Sequence, residues 1–316
     1  MAEFSLIERI RRRAAAREDV VLGIGDDAAL LRVPPGRELA VAMDTLNAGV
    51  HFPDGTAAAD VGWKALAVNL SDLAAMGAEP AWCTLSLSLP QADAAWLDGF
   101  LDGFLELAAA HRVALVGGDT TRGPLSVCVT VHGLIEPGSA LRRDGARVGD
   151  AVWVSGTLGD AAGALRQWQQ QGVGVDPALR DRLDRPTPRV ALGRALRGIA
   201  HAAIDVSDGL LADLGHVCTA SGLAAEIELD ALPCSAALAA AFDRNTRRAL
   251  QAAGGDDYEL CFTAPAEASA AIGALARALA LPLARIGRTV EGAGVRALTA
   301  DGTPWQPARA GYEHFG

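Results

Sequence analysis

Short apolar runs alternate with amphipathic stretches along the whole chain. Phe4, Leu6, Ile7 and Ile10 recur at helical spacing near the start, and VVLGIG, ELAVAMD and AWCTLSLSL read as strands. Before the last of these, Ala59 to Met76 reads as a helix that ends at the breaker MGAEP, with Gly77 and Pro80. A second helix is predicted over AWLDGFLDGFLELAAAHR and a strand over VALVGGD. LSVCVTVHGLIE alternates apolar with small or polar residues, as a half-exposed strand should.

From Glu136 to Asp150 the segment EPGSALRRDGARVGD is rich in Gly and Arg and follows neither period, so it reads as a boundary between two domains, 1–140 and 141–316. Beyond it AVWVSG predicts a strand, GDAAGALRQWQQQ a helix, RPTPRVALGRALRGIA a proline-started helix, AAIDVS a strand and GLLADLGHVCTA a helix. AAEIELD, YELCFT, LARIG and VRAL add short strands, and Ala266 to Ala280 reads as helical. Both halves therefore mix strands and helices, an α/β class, and the alanine-rich stretches are helix formers rather than disorder.

With 316 residues, half of them hydrophobic, the chain can bury cores of ordinary size in each half. Its 38 acidic against 28 basic residues give a net charge of -10, which disfavours nonspecific binding to nucleic acid or anionic membrane. The start has acidic residues among its arginines and no apolar stretch of signal-peptide length, so a cytoplasmic protein is expected. Five scattered cysteines without a CxxC pair point to buried thiols rather than a disulfide framework or a zinc site. Lys64 is the one lysine, and no GxxxxGK[ST] occurs. It fits neither a P-loop nor a protein-kinase lysine position, so a phosphotransferase built from this chain must rely on metals instead.

Chemistry concentrates where apolar runs stop at aspartate. LGIGDD ends at Asp26 and Asp27, AVAMD at Asp44, AVNLSD at Asp72, ALVGGD at Asp119, AAIDVSD at Asp205 and Asp208, and QAAGGDD at Asp256 and Asp257. A strand or helix that delivers a carboxylate to one edge of a core supplies the hard oxygen donors that suit Mg²⁺, and several converging edges would hold metal-bound phosphate. Singly, each aspartate fits a turn or a helix N-cap equally well, and Asp208 fits the cap of GLLADLG. The doubled pairs fit that alternative less well, because adjacent carboxylates repel and a cap needs only one. In GGDTTRG and IDVSDGL, glycines that permit close approach to phosphate lie beside Asp119, Asp205 and Asp208, just after predicted strands. Arg142 and Arg143 could fork onto phosphate oxygens, but by themselves they read first as a solvated linker. His51 stands alone in a Gly and Pro rich loop, and Tyr312 and Phe315 read as tail anchors or as covers for a flat ring.

Together FSLIERI, LGIGDDAALL, MDTL, the HF pair at His51, KALAVNLSDLAAMGAEPAW, VGGDTTRGPLS, IDVSDGLLADLGH and GGDDYELCFT resemble the thiamine-monophosphate kinases in order and spacing, from Phe4 to Phe315. LSDLAAMGA with GGDTTRGPLS is specific to them, whereas GDDAA alone also fits relatives such as aminoimidazole ribonucleotide synthetase. The resemblance implies the PurM-like fold, in which an N-terminal domain closes a barrel with its copy across a homodimer and a C-terminal α/β domain closes the nucleotide site. It implies ATP and thiamine monophosphate as substrates, thiamine diphosphate as product, and several Mg²⁺ ions.

Carried over position by position, the resemblance puts metal on Asp27, Asp44, Asp72, Asp119, Asp205 and Asp208, ATP on Gly118, Asp119, Arg143 and Ser207, and the acceptor on His51, Asp256 and Tyr312. Asp26 and Asp257 are left as structural partners. Two departures stand out. The usual hydroxyl pair before Asp44 is Ala42 and Met43, which leaves only backbone carbonyls there, and the usual glutamate opening DYEL is Asp256, one methylene shorter. No covalent nucleophile or general base is expected, because a phosphate acceptor is already anionic at neutral pH. The rival readings are another ATP-using enzyme of the same fold and a noncatalytic binder of Mg-nucleotide or thiamine phosphates.

Overall fold

Helix α1 (Glu3–Arg13) buries Leu6 and Ile10 and is followed by a small β1 (Val20–Leu22) and β2 (Leu30–Leu31) hairpin. Then come β3 (Glu38–Asn47), α2 (Ala58–Ala75), β4 (Glu79–Leu89), α3 (Ala94–Ala110), β5 (Ala114–Arg122) and β6 (Ser126–Ile135). The computed structural model describes residues 3–172, 174–309 and 311–312. Within it the chain divides into two compact units, Met1–Leu73 with Ala78–Gly138, and Ala74–Gly77 with Ser139–Gly316.

In the first unit the sheet order is β3-β6-β4-β5, with β4 and β5 parallel and the other pairs antiparallel. Period-2 alternation decides its two faces. Val127, Val129, Val131, Leu85 and Leu87 are buried on the helix side, where Leu73 of α2 packs against Gly133. On β3 the opposite face carries Leu39, Val41 and Met43, which are 44%, 57% and 63% exposed. Helices α2 and α3 touch backbone to backbone: a Cβ on Gly62 would lie 2.0 Å from the Phe100 carbonyl oxygen, and one on Gly103 would lie 1.8 Å from that of Ala59. Asp93 caps α3 by accepting from the N–H groups of Ala95 and Trp96.

The second unit comprises β7 (Ala151–Ser155), α4 (Asp160–Gln171), α5 (Pro177–Asp184), α6 (Val190–Leu196), β8 (Ala202–Asp205), α7 (Leu210–Ser221), β9 (Ala224–Glu228), α8 (Ala236–Ala241) and α9 (Arg244–Ala253). β10 (Leu260–Ala264), α10 (Ser269–Ala278), β11 (Leu283–Val290), β12 (Gly294–Leu298) and β13 (Pro304–Trp305) complete it. Its seven-stranded sheet runs β13-β12-β9-β11-β7-β10-β8, and α7 packs on the face that carries Val152, Val154, Ile204, Cys261 and Ile286. A satellite core of Ala161, Ala164, Leu179, Leu183, Leu238 and Leu250 joins α4, α5, α8 and α9.

Several expectations need correction. GGDTTR lies inside β5 rather than in a loop after a strand. Gly118 makes this possible: its φ of +145° and its place 1.9 Å from the Leu85 carbonyl oxygen, measured to a hypothetical Cβ, exclude any side chain. The proline-started helix shrinks to α6, because Pro186 and Pro188 remove backbone donors ahead of it. Helices α5, α8 and α9 were not read at all. Cys234 is exposed, not buried, although all five cysteines are free thiols. Among the described residues no helix is long and apolar enough to cross a membrane.

Candidate functional site

The first unit gathers its candidates in two places. On the open edge of β3 the N–H of Asp44 donates to Oδ1 of the fully buried Asn69 at 2.9 Å. Asp72 follows Asn69 by three residues on the same stripe of α2. Ala42 lies on the same face of β3 as Asp44, whereas Met43 lies on the exposed one. At the end of β3, His51 accepts the Asn47 N–H on Nδ1 at 3.0 Å. Its carbonyl accepts from Nζ of Lys64 at 3.0 Å, so the chain's one lysine is a buried strut of this loop.

The second place is the β5 edge. A pocket there is lined by Ile24 of the LGIGDD loop together with Gly117, Gly118 and Asp119, against Ile7 and Ile10 of α1. Two motifs far apart in sequence therefore meet, and Asp27 lies three residues beyond Ile24. Asp26 is exposed and its Oδ1 accepts the Asp27 N–H at 2.8 Å. The sheet does not bring Asp44 and Asp119 together. Register pairs run Asp44 to Val129 to Leu85 to Gly118, so the two aspartates stand on opposite edges, about 14 Å apart across three strand spacings.

In the second unit β8 ends at the buried Asp205, and the loop Val206–Gly209 leads into α7. Asp208 does not cap that helix. The N-cap is Gly209, without a side-chain bond, and the N–H groups of Ser207, Asp208 and Gly209 all donate to Oδ2 of Asp213, at 3.0, 3.1 and 3.0 Å. Burial, and then the charges of Asp205 and Asp208, push the Asp213 carboxyl up to about 7 against the pull of its backbone donors. The acceptor candidates hang on the same loop: Asp256 N–H donates to the Ser207 carbonyl at 2.8 Å and Tyr312 N–H to that of Asp208 at 3.0 Å. Asp256 is held in the left-handed region at φ 69°, with the Tyr258 hydroxyl donating to its Oδ1 at 3.1 Å. Tyr312 is half exposed, and Phe315 lies outside the described residues.

Beneath this loop Asp257 and Glu259 are structural. Asp257 accepts the Gly159 N–H on both oxygens, and its burial raises its carboxyl well above the usual range. Glu259 is fully buried and binds Ser155, Arg182 and Arg189. Arg143 stands elsewhere, in a 3₁₀ turn whose carbonyl accepts from Ser221 at the far end of α7, about 18 Å from its start. Arg142 pairs with Asp144 at the surface.

Among the described residues no three Asp, Glu, His or Cys side chains are grouped so as to hold a metal ion. Mg²⁺ does not need such a group, since it keeps waters and takes one or two carboxylates plus substrate phosphate. Asp205 and Asp208 lie close enough to Asp213 for their charges to raise its carboxyl. Sequence reasoning missed Asp213, Arg182, Arg189 and Glu259. An acidic residue on the apolar stripe LLADLG was the one available signal for Asp213.

Residues 25–135 match the family model of AIR synthase related protein, N-terminal domain, and residues 147–299 its C-terminal domain. The chain is 47% identical over 321 residues to the thiamine-monophosphate kinase of Salmonella typhimurium, covering 99% of this chain and 98% of that one. It superposes on the crystal structure of thiamine-monophosphate kinase from Stenotrophomonas maltophilia K279a with TM-score 0.90 and 57% identity, over 96% and 98% of the two chains. AaThiL complexed with AMPPCP and TMP matches with TM-score 0.80 and 32% identity, over 99% and 97%.

Proposed function

We infer that this chain, which belongs to the AIR synthase related family and within it to the thiamine-monophosphate kinases, uses ATP to phosphorylate thiamine monophosphate to thiamine diphosphate. The observation that carries this is likeness over both units to kinases of that name, with the two-domain PurM-like fold in common. AaThiL in complex with an ATP analogue and TMP supports the pair of substrates.

The acceptor oxygen needs no base, because a phosphate monoester loses its second proton near pH ~6. Direct in-line transfer is the mechanism such an acceptor suits. The residues that would hold Mg²⁺ are Asp44, Asp72, Asp27 and Asp119 in the first unit and Asp205 and Asp208 in the second, with the carbonyls of Met43 and Ala42 as backbone donors. When bound, the metal offsets repulsion between the two polyanions and stabilises charge on the leaving oxygen. Gly118 and Asp119 face the nucleotide in this reading, since both line the pocket at the β5 edge. Ser207 completes the ATP contacts, Arg143 at the far end of α7 stands apart from it, and His51, Asp256 and Tyr312 take thiamine monophosphate. The Asp256 carboxylate attracts the thiazolium cation, and the Tyr312 ring offers it a face.

The test is chromatography of pure protein incubated with ATP, Mg²⁺ and thiamine monophosphate, with thiamine and an aminoimidazole precursor as control acceptors. Thiamine diphosphate formed from the monophosphate alone supports the reading, and its absence overturns it. Asp256→Ala should raise KM for thiamine monophosphate about tenfold, a loss of about 1.4 kcal/mol, with KM for ATP little changed. Steady-state kinetics at saturating ATP check this, and an unchanged KM removes Asp256 from the acceptor site.

A homodimer is the assembly that the exposed Leu39, Val41 and Met43 face supports, because an apolar sheet face with two open edges is covered when a second copy closes a barrel. Val41→Asp places a charge in that face and should give monomers by light scattering, where the unaltered chain gives dimers. Five free cysteines go with a reducing compartment, which supports the cytoplasmic location expected from the sequence.

A further inference from the structure

We propose that Asp213 is a positioning residue, which holds the Val206–Gly209 loop so that the nucleotide and metal residues Ser207 and Asp208 and the acceptor residues Asp256 and Tyr312 keep one fixed arrangement. The proposal rests on the reading of the second unit given above. Asp213 itself belongs to neither set.

The loop has no ladder partner, yet all eight of its backbone polar groups are bonded. The Val206 N–H donates to the Glu259 carbonyl at 2.8 Å, and the next three N–H groups converge on the one Asp213 oxygen. On the other side the carbonyls of Val206, Ser207 and Asp208 accept from Tyr258, Asp256 and Tyr312 at 2.8, 2.8 and 3.0 Å, and the Gly209 carbonyl accepts the Asp213 N–H at 3.0 Å. One carboxylate oxygen therefore fixes the donor side of three peptide units whose acceptor side carries the acceptor residues. Three N–H donors converging on one carboxyl oxygen set the loop's curvature. Gly209, at φ +126° with its hypothetical Cβ 2.8 Å from the Ala253 carbonyl carbon, lets the loop turn tightly enough to reach Asp213.

Neither a cap nor packing explains this placement. A cap would come from residue 208 or 209, whereas Asp213 reaches back from inside the first turn of α7 and is buried among Leu210, Leu211 and Leu214. A buried carboxyl at that position is expensive unless its oxygens are bonded, and what it bonds is the loop.

The experiment compares Asp213→Ala, which removes the acceptor, with Asp213→Asn, which keeps one oxygen for the same donors. Amide hydrogen exchange is followed on the protein without metal or substrates, and KM for thiamine monophosphate is measured alongside. In the alanine variant, exchange should speed up about tenfold in residues 206–209 and 256–258, while the strands of the seven-stranded sheet keep their protection. KM for thiamine monophosphate should rise about tenfold, and asparagine should fall between alanine and the unaltered chain in both readouts. Unchanged exchange in those two segments overturns the proposal. So does a rise spread evenly over the whole unit, which marks simple destabilisation. If the unaltered chain makes no thiamine diphosphate, the functional reading fails while the exchange comparison still decides what Asp213 does to the loop.

Discussion

Asp72→Asn should abolish turnover while leaving the fold in place. The side chain is half-buried near the end of α2, one turn beyond Asn69, whose amide oxygen holds the edge N–H of Asp44. Asparagine has the same shape, so the packing of Leu70 and Leu73 around it is unchanged. What is lost is one anionic oxygen of a proposed metal set that Ala42 cannot enrich, since a methyl offers no donor and Met43 turns to the opposite face. With so few oxygens available there, losing the charge on one should lower kcat by about 10³ or more, some 4 kcal/mol of transition-state stabilisation. Steady-state rates at saturating Mg²⁺, with the thermal midpoint as a control for folding, make the comparison. A kcat near that of the unaltered chain at saturating Mg²⁺ removes Asp72 from the metal set. Asn69→Ala is the milder companion: it frees the β3 edge without removing a carboxylate, and its effect should be smaller.

Patterning made the strands and long helices legible because each buries one face against one core. The period of ELAVAMD gave β3, and the 3.6-residue period before MGAEP gave α2 to within a residue at each end. Short elements whose burial depends on distant partners were not legible. Helix α5 begins with the signal Asp176-Pro177, but its apolar residues Leu179 and Leu183 make sense only against Leu238 and Leu250. The aspartates were found because they end apolar runs, a local feature. Their grouping was not, because it depends on strand order: β3 and β5 lie on opposite edges although Asp44 and Asp119 look alike in sequence. Asp208 and Asp213 show the same limit. Five residues apart in one motif, one stands at a helix start without capping it, and the other reaches back from the first turn to the N–H groups of the loop ahead of the helix.

Glu259→Ala should cost the second unit more stability than any surface change, about 3 to 5 kcal/mol. The carboxylate is fully buried and accepts from Ser155 Oγ at 2.6 Å, from Arg182 Nη2 at 2.7 Å and from Arg189 Nε at 2.7 Å. Gly156 is kept small by it, since a Cβ there would lie 2.1 Å from Oε1. Removal leaves two guanidinium groups, 20% and 16% exposed, without their counter-charge, and frees Ser155, whose oxygen also accepts the Leu260 N–H. An unpaired buried charge, rather than a lost contact, dominates the cost. On a unit of this size the loss corresponds to a fall in thermal midpoint of roughly 10 °C, readable by calorimetry. Activity should fall with it, because the Glu259 carbonyl accepts from Val206 at the start of the functional loop and its chain neighbour Tyr258 donates to the Val206 carbonyl and to Asp256. Glu259→Gln keeps the volume and one acceptor oxygen and should lose less. Equal midpoints for the alanine variant and the unaltered chain would show that the arginines find other partners, and the network would then lose its place as the support of the acceptor loop.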